Sequence, residues 1–188
     1  MTVGDYNTTY HDTKEKPQYF SFEIPENDFG VYWRDISFEG SRLGIWESDL
    51  NRGRGVFLDT GTTMFTTTPV IYERMIGVIL NFCSQKQNCG RYEREEGNCW
   101  YHDKKIYPDI KDFFATFGTF NFYFGKKVFQ SRDDATYEWR PEDYLFKENL
   151  KDDLYCLGID KIDASGRESI TLLGATFLRN HDIQFDKE

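Results

Sequence analysis

Apolar and polar residues alternate along most of this chain, the signature of strands with one face buried. Tyr19-Phe20-Ser21-Phe22-Glu23-Ile24 alternates in this way. Val31-Tyr32-Trp33 and Ile36-Ser37-Phe38 continue the β pattern, Glu39-Gly40 turns it, and Leu43-Gly44-Ile45-Trp46 reads as a further short strand. Asn51 to Gly55 forms a turn region that leads into Val56-Phe57-Leu58, an apolar run read as a buried strand. Farther on, Phe120, Phe122 and Phe124 share one strand face, and Tyr137-Glu138-Trp139 is another strand, left by a one-turn helix over Pro141 to Leu145. One segment switches period. Thr68 is an N-cap, Pro69 suits the first helical position, and Ile71, Met75, Val78 and Ile79 then recur at helical spacing as a core-packing stripe. Met1 to Lys16 is polar and Thr-rich and reads as a linker, while Cys83 to Asp103 reads as charged and irregular. Many short strands with turn signals predict an all-β, barrel-like lobe with a few short helices.

Composition narrows the function classes. A chain of 188 residues suits one domain with a sizeable core. Its aromatic fraction of 18%, with 17 Phe and 12 Tyr, excludes a disordered chain. A net charge of −9 argues against a nucleic-acid partner, which needs a basic face. The most apolar stretch, Phe113 to Phe124, is too short and too often interrupted to span a membrane. Met1 to Asp5 has neither the basic start nor the apolar core of a secretory signal, whereas Asn7-Thr8-Thr9 is a glycosylation sequon. Four cysteines, Cys83, Cys89, Cys99 and Cys156, leave two readings open. Cys83, Cys89 and Cys99 with His102 are a candidate zinc set, though without the close pairs usual for structural zinc. Two disulfides, implying an oxidising compartment, fit the even count better.

The candidate chemistry lies at Asp59. The buried strand delivers this carboxylate into Thr60-Gly61-Thr62-Thr63, where the Gly61 amide and the hydroxyls of Thr60, Thr62 and Thr63 are prospective donors. Donors to the ionised form hold a carboxylate's pKa down. An Asp after a strand also serves as a simple turn residue with an Asx-type hydrogen bond. The phosphorylated Asp of P-type ATPases is followed by Lys, and Thr60 stands there instead. A second carboxylate beside Asp59 would share a proton with it, and the pair would activate water. No second Asp-Thr-Gly or Asp-Ser-Gly occurs in the chain, nor any internal repeat.

Asp59-Thr60-Gly61-Thr62-Thr63 followed far downstream by Ile170-Thr171-Leu172-Leu173-Gly174 resembles the C-terminal lobe of a pepsin-like aspartic protease. The resemblance spans Tyr19 to Asp186, including the short helix and strand expected over Ala175 to Asp186, with long insertions inside it. It implies a lobe-connecting segment over residues 1–18 and a lobe over 19–188 that stops before the family's final strand. Within the family, Cys99-Trp100, Tyr107-Pro108-Asp109-Ile110, Trp139-Arg140-Pro141, Tyr144-Leu145-Phe146-Lys147 and Tyr155-Cys156-Leu157-Gly158-Ile159 look like the plasmepsin V group of apicomplexan parasites. That group cleaves export signals in the endoplasmic reticulum. Asp-Thr-Gly stands where that group is expected to have Asp-Ser-Gly.

The resemblance implies that Asp59 is the second catalytic Asp. Thr60 and Gly61 would shape its loop, Thr62 and Thr63 would donate to its outer oxygen or to substrate backbone, and Leu172, Leu173 and Gly174 would support it. It implies disulfides Cys99–Cys156 and, from the remaining pair, Cys83–Cys89. It implies no cofactor or metal, an N-terminal lobe of the same polypeptide as partner, a peptide or protein substrate, and a place in the secretory pathway or outside the cell. The lobe of a non-catalytic, peptide-binding homologue is the alternative. His11, His102 and His181 have no part in this chemistry and read as surface residues, with His181 near a helix end.

Overall fold

Residues 30–38 keep the extended backbone that their pattern calls for, and the rest of the fold is arranged around them. Strand β1 (Gly30–Phe38) ends in Glu39-Gly40, both at positive φ (48° and 76°). That twist suits a two-residue hairpin, and β2 (Ser41–Arg42) pairs straight back. The register of β1 slips between Trp33 and Asp35. This bulge lets one strand serve two neighbours: Gly30 and Val31 pair with β3 (Val56–Leu58), and Tyr32 to Phe38 pair with β7 (Phe120–Gly125). The computed structural model describes residues 29–86, 89–93, 97–125, 135–147, 153–162, 169–181 and 183.

The described residues form two sheets. In the first, which has eight strands, the order is β11 (Ile159–Lys161), β4 (Phe65–Thr67), β12 (Thr171–Leu173), β3, β1, β7 and β8 (Ala135–Trp139), with β2 beside β1. β12 therefore slots between the two strands that flank the Asp59 turn, parallel to β3 and antiparallel to β4. The second sheet runs β5 (Arg91–Glu93), β6 (Cys99–Tyr101), β10 (Leu154–Leu157), β9 (Leu145–Lys147). Five helices accompany them: α1 (Glu47–Leu50), α2 (Pro69–Lys86), α3 (Ile110–Phe114), α4 (Pro141–Tyr144) and α5 (Ala175–Leu178).

The main core is aromatic. Trp33, Phe65, Phe120, Phe122, Trp139 and Phe177 are all at most 1% exposed. Their rings stack or meet edge to face, with Trp33–Phe122 at 5.1 Å and Phe122–Phe177 at 4.9 Å, arrangements that add to simple burial. Their polar handles are satisfied too, Trp33 Nε1 donating to Asp35 O and Trp139 Nε1 to Thr176 O. Ile71, Met75 and Ile79 of α2 join this core, as their spacing predicts, with Val78 half-buried at its margin.

Three expectations change, and one alternative closes. Leu43–Trp46 is not a strand: Leu43 still donates to Ile36 O, but Gly44 at φ 67° turns the chain away, and Trp46 lies 78% exposed before α1. The segment from Cys83 to Asp103 contains strands β5 and β6, whose ladder partners include the distant β10. His102 is not a surface residue; it is 6% exposed, with Nε2 at 2.7 Å from Tyr107 O. All four cysteines are consumed in disulfides, Cys83–Cys89 and Cys99–Cys156, so the zinc alternative loses its thiolates. The strand expected over Tyr19–Ile24, the linker over 1–18, the Asn7 sequon, His11 and the segment after Ile183 lie outside the described residues.

Candidate active site

Asp59 leaves the end of β3 with its own amide donating to Leu173 O at 3.1 Å, so β12 fixes the point at which the turn begins. Within the turn the Gly61 amide donates to Oδ1 at 2.9 Å and the Thr62 hydroxyl donates to Oδ2 at 2.6 Å. Each carboxylate oxygen thus accepts one charge-assisted hydrogen bond, which is stronger than a neutral one. The Thr62 hydroxyl first, and the Gly61 amide second, hold the Asp59 carboxyl below its ordinary value, against a smaller opposing effect of burial. Two of the four donors expected from sequence are made. The Thr60 and Thr63 side chains stand exposed, because the turn points them outward while Gly61 and Thr62 face the carboxylate.

Gly61 is suited to this place by space. A Cβ there would sit 3.2 Å from Asp59 Oδ1, tighter than nearly all real contacts. Gly174 is still more constrained: a Cβ would lie 2.3 Å from Met64 O and 2.6 Å from Thr62 O. Its bare Cα lets the start of α5 press against the Asp59 loop. There the Ala175 amide donates to Thr62 O at 2.8 Å and the Thr176 amide to Thr63 O at 2.9 Å. Leu173 is fully buried in the core and Leu172 pairs with Phe57 and Thr66, so the Leu-Leu-Gly segment supports the loop from beneath. Phe65, at the loop's exit, is anchored among Trp33, Trp139 and Phe177.

The residues expected to act together divide into two places. Asp59, Thr60, Gly61, Thr62 and Thr63 lie in one loop with Leu172, Leu173 and Gly174 behind it. The disulfides lie elsewhere, Cys99–Cys156 across β6 and β10 and Cys83–Cys89 at the end of α2. His181 follows α5 as expected, its Nδ1 at 2.9 Å from the Tyr137 hydroxyl. An open cleft of about 630 Å³ lies at the second sheet, lined by His102, Lys104, Lys147, Asp153 and Tyr155 among others, with no residue of the Asp59 loop. Among the described residues no group of three or more His, Cys, Asp or Glu is placed to hold a metal. Sequence reading missed Thr176, a buried polar residue behind the loop. Its one signal is a Thr amid apolar neighbours directly after Gly174-Ala175.

What this arrangement can do follows from the carboxylate. A partly exposed carboxylate, pre-oriented by two donors that favour its ionised form, is a proton acceptor or a hydrogen-bond acceptor for a bound water. A family model described as Xylanase inhibitor C-terminal matches residues 30–188. No curated protein matches the chain.

Proposed function

The chain belongs to the xylanase inhibitor C-terminal family, and its mostly-β fold is a single lobe of the pepsin-like kind; from that premise we propose that it is the C-terminal half of an aspartic endopeptidase. Pepsin-like proteins include both catalytic proteases and non-catalytic inhibitors. The observation that carries the catalytic reading is the Asp59 carboxylate, held on both oxygens by Gly61 and Thr62 and kept in its ionised form.

In this reading a second Asp, from an N-terminal lobe outside this chain, faces Asp59 across a bound water and carries the shared proton. Asp59 takes a proton from the water, whose oxygen forms a bond to the scissile carbonyl carbon. The second Asp gives its proton to the carbonyl oxygen, so charge does not build up there. As the C–N bond of the resulting diol breaks, Asp59 gives its proton to the amide nitrogen and one diol hydroxyl returns its proton to the second Asp, leaving a carboxylic acid, a free amine and the dyad in its starting state. The substrate is a peptide or protein. The likeness of the Cys99-Trp100 and Tyr155 to Ile159 segments to the plasmepsin V group supports a role in processing secretory or exported proteins. The two disulfides, and the lack of any helix among the described residues that is long and apolar enough to cross a membrane, are compatible with a secreted or secretory-pathway protein.

The family match favours a second reading, a lobe that binds without cutting. The experiment that separates the two joins this chain to its N-terminal lobe and assays peptide hydrolysis between about pH 2 and 7, a span that takes in the range over which a carboxylate dyad shares one proton. Turnover abolished by Asp59→Asn in a folded protein supports the protease. Peptide binding without turnover in the unaltered protein supports the binder.

A further inference from the structure

We propose that Thr176 is the positioning residue of the Asp59 turn: its hydroxyl fixes the start of α5, whose first amides then clamp the carbonyls of Thr62 and Thr63. The inference rests on the catalytic reading of Asp59 given above.

Three segments meet at one oxygen atom. Thr176 Oγ1 donates its single proton to Gly158 O at 2.6 Å and accepts the Phe65 amide at 2.8 Å. Phe65 leads out of the Asp59 loop, Gly158 joins β10 to β11, and Thr176 opens α5. The backbone of Thr176 is engaged as well, its amide on Thr63 O and its carbonyl on Trp139 Nε1. The residue is 7% exposed, and Gly158 packs so close that a Cβ there would lie 2.7 Å from that of Thr176.

This junction matters to Asp59 because α5 cannot hold its own place. The helix is four residues long, and its N-cap, Gly174, makes no side-chain cap. A helix that short has no stability of its own in water. Its position comes from tertiary bonds, and of its side chains only that of Thr176 bonds both the loop exit and the β10–β11 corner. From that position the Ala175 and Thr176 amides hold Thr62 O and Thr63 O, and Thr62 in turn offers its hydroxyl to Asp59 Oδ2. The path from Thr176 to the carboxylate is therefore two hydrogen bonds long.

A purely packing role is the rival explanation, and two substitutions separate it. Thr176→Val keeps the branched shape and deletes the hydroxyl. Thr176→Ser keeps the hydroxyl and deletes the methyl. The valine variant is compatible with folding, because the Phe65 amide also reaches Gly158 O at 3.1 Å and leaves no orphaned donor.

The test is a carboxyl-carbon NMR titration of Asp59 in this 188-residue chain, run on the unaltered protein, both variants and Thr62→Ala as the reference for loss of the direct donor. Asp59 is a clean reporter, because its displacement comes from hydrogen bonds and burial and not from a neighbouring charge. Thr176→Val is expected to move the Asp59 titration upward, part of the way that Thr62→Ala moves it, and Thr176→Ser to overlay the unaltered protein. Overlay by Thr176→Val, or a shift by Thr176→Ser as large as that of the valine variant, overturns the proposal. If Thr176→Val does not fold, Thr176→Ala takes its place under the same criterion. Unfolding of both assigns Thr176 to the fold alone and also overturns it. In the two-lobed enzyme Thr176→Val should lower kcat by a smaller factor than Thr62→Ala does, about threefold, with KM little changed. The titration needs no hydrolysis, so loss of the catalytic reading, seen as full activity in Asp59→Asn, leaves the NMR result standing.

Discussion

Around Asp59 the eight-stranded sheet is held by backbone hydrogen bonds and small side chains, whereas the four-stranded sheet is stapled by the Cys99–Cys156 bond. The burial pattern accounts for the contrast. β3, β4 and β12 bury Val56, Phe65 and Leu173 in the aromatic core, so the Asp59 loop needs no covalent tie. Alternate residues of β6 face opposite ways. Trp100 enters that same core, while Cys99 and Tyr101 fall to a satellite cluster with Leu154, Cys156 and Phe146. So little apolar surface gives a thin layer weak support, and a cross-link supplies what the core does not. The Asp59 turn is thus built on strands buried in the main core, whereas the outer face of the four-stranded sheet, whose inner face carries Trp100, Leu145 and Leu157 into that core, is fixed by a disulfide.

The sharpest way to break the comparison is to remove the carboxylate. If the two-lobed protein is the endopeptidase proposed above, Asp59→Asn should lower its kcat by about a thousandfold or more, since one half of the acid–base pair is lost. Its melting temperature should move little, because the side chain is partly exposed and the amide keeps the turn's shape. This chain by itself should not hydrolyse peptides, as it brings one Asp-Thr-Gly. Turnover by the isolated chain that survives Asp59→Asn would place the chemistry elsewhere.

Next in size is the covalent staple. The Cys99–Cys156 bond spans 57 residues of sequence and should contribute about 4 kcal/mol on the chain-entropy model, against about 2 kcal/mol for Cys83–Cys89, which spans 6. Urea unfolding of the two alanine double variants gives the ranking. Hydrogen exchange should show β6 and β10 losing protection well before β3 and β12. Equal loss in both sheets would mean that they unfold as one unit and that the contrast is only architectural.

What the sequence made legible follows the same divide. Local features came through: the Glu39-Gly40 turn, the Pro69 helix, the alternation of Phe120, Phe122 and Phe124, and the Asp59 turn, each written within a few adjacent residues. Long-range pairing did not. The insertion of β12 between β3 and β4 joins residues about a hundred positions apart, as Thr67 and Thr171 show with a hydroxyl contact at a separation of 104. Periodicity carries no such register. Leu172-Leu173-Gly174 was recognisable only by resemblance, and its physical reason, the missing Cβ against Met64 O and Thr62 O, needs coordinates. β5 and β6 were lost because each is a short strand inside a charged segment that shows no alternation around it, whereas β3, equally short, is an unbroken apolar run. His102 was misplaced to the surface because nothing nearby in sequence announces the Tyr107 carbonyl that meets it inside.

A glycine substitution tests whether backbone contact alone holds the Asp59 loop. Gly174→Ala puts a methyl group 2.3 Å from a main-chain oxygen that no side-chain rotation relieves. The expected cost is about 3 kcal/mol, at the upper end for overpacking, with the Asp59 loop displaced. Gly44→Ala is the control. It also loses a glycine, but its Cβ meets open space, so its cost is the smaller strain of a positive φ at 67°. Chemical denaturation should separate the two clearly, and equal costs would mean that the close approach at Gly174 relaxes freely.

The smallest expected effect is the most informative about chemistry. Thr62→Ala deletes the donor that contributes most to lowering the Asp59 carboxyl, while the Gly61 amide remains. The direction follows from linkage. A carboxyl whose folded value lies below its unfolded value adds stability above the unfolded value, near pH 3.9 for a free Asp, and loses it as pH falls through the folded one. In Thr62→Ala that window narrows from below, because the folded value rises toward the free one. The variant and the unaltered chain should therefore differ in urea midpoint at neutral pH and converge at strongly acid pH. In the two-lobed enzyme the acid limb of kcat/KM should move to higher pH, with a loss at neutral pH of about tenfold at most, since one hydrogen bond of several is removed. A difference in urea midpoint that persists unchanged into acid would mean that Thr62 supports the loop by packing and that its hydroxyl does not set the charge of Asp59.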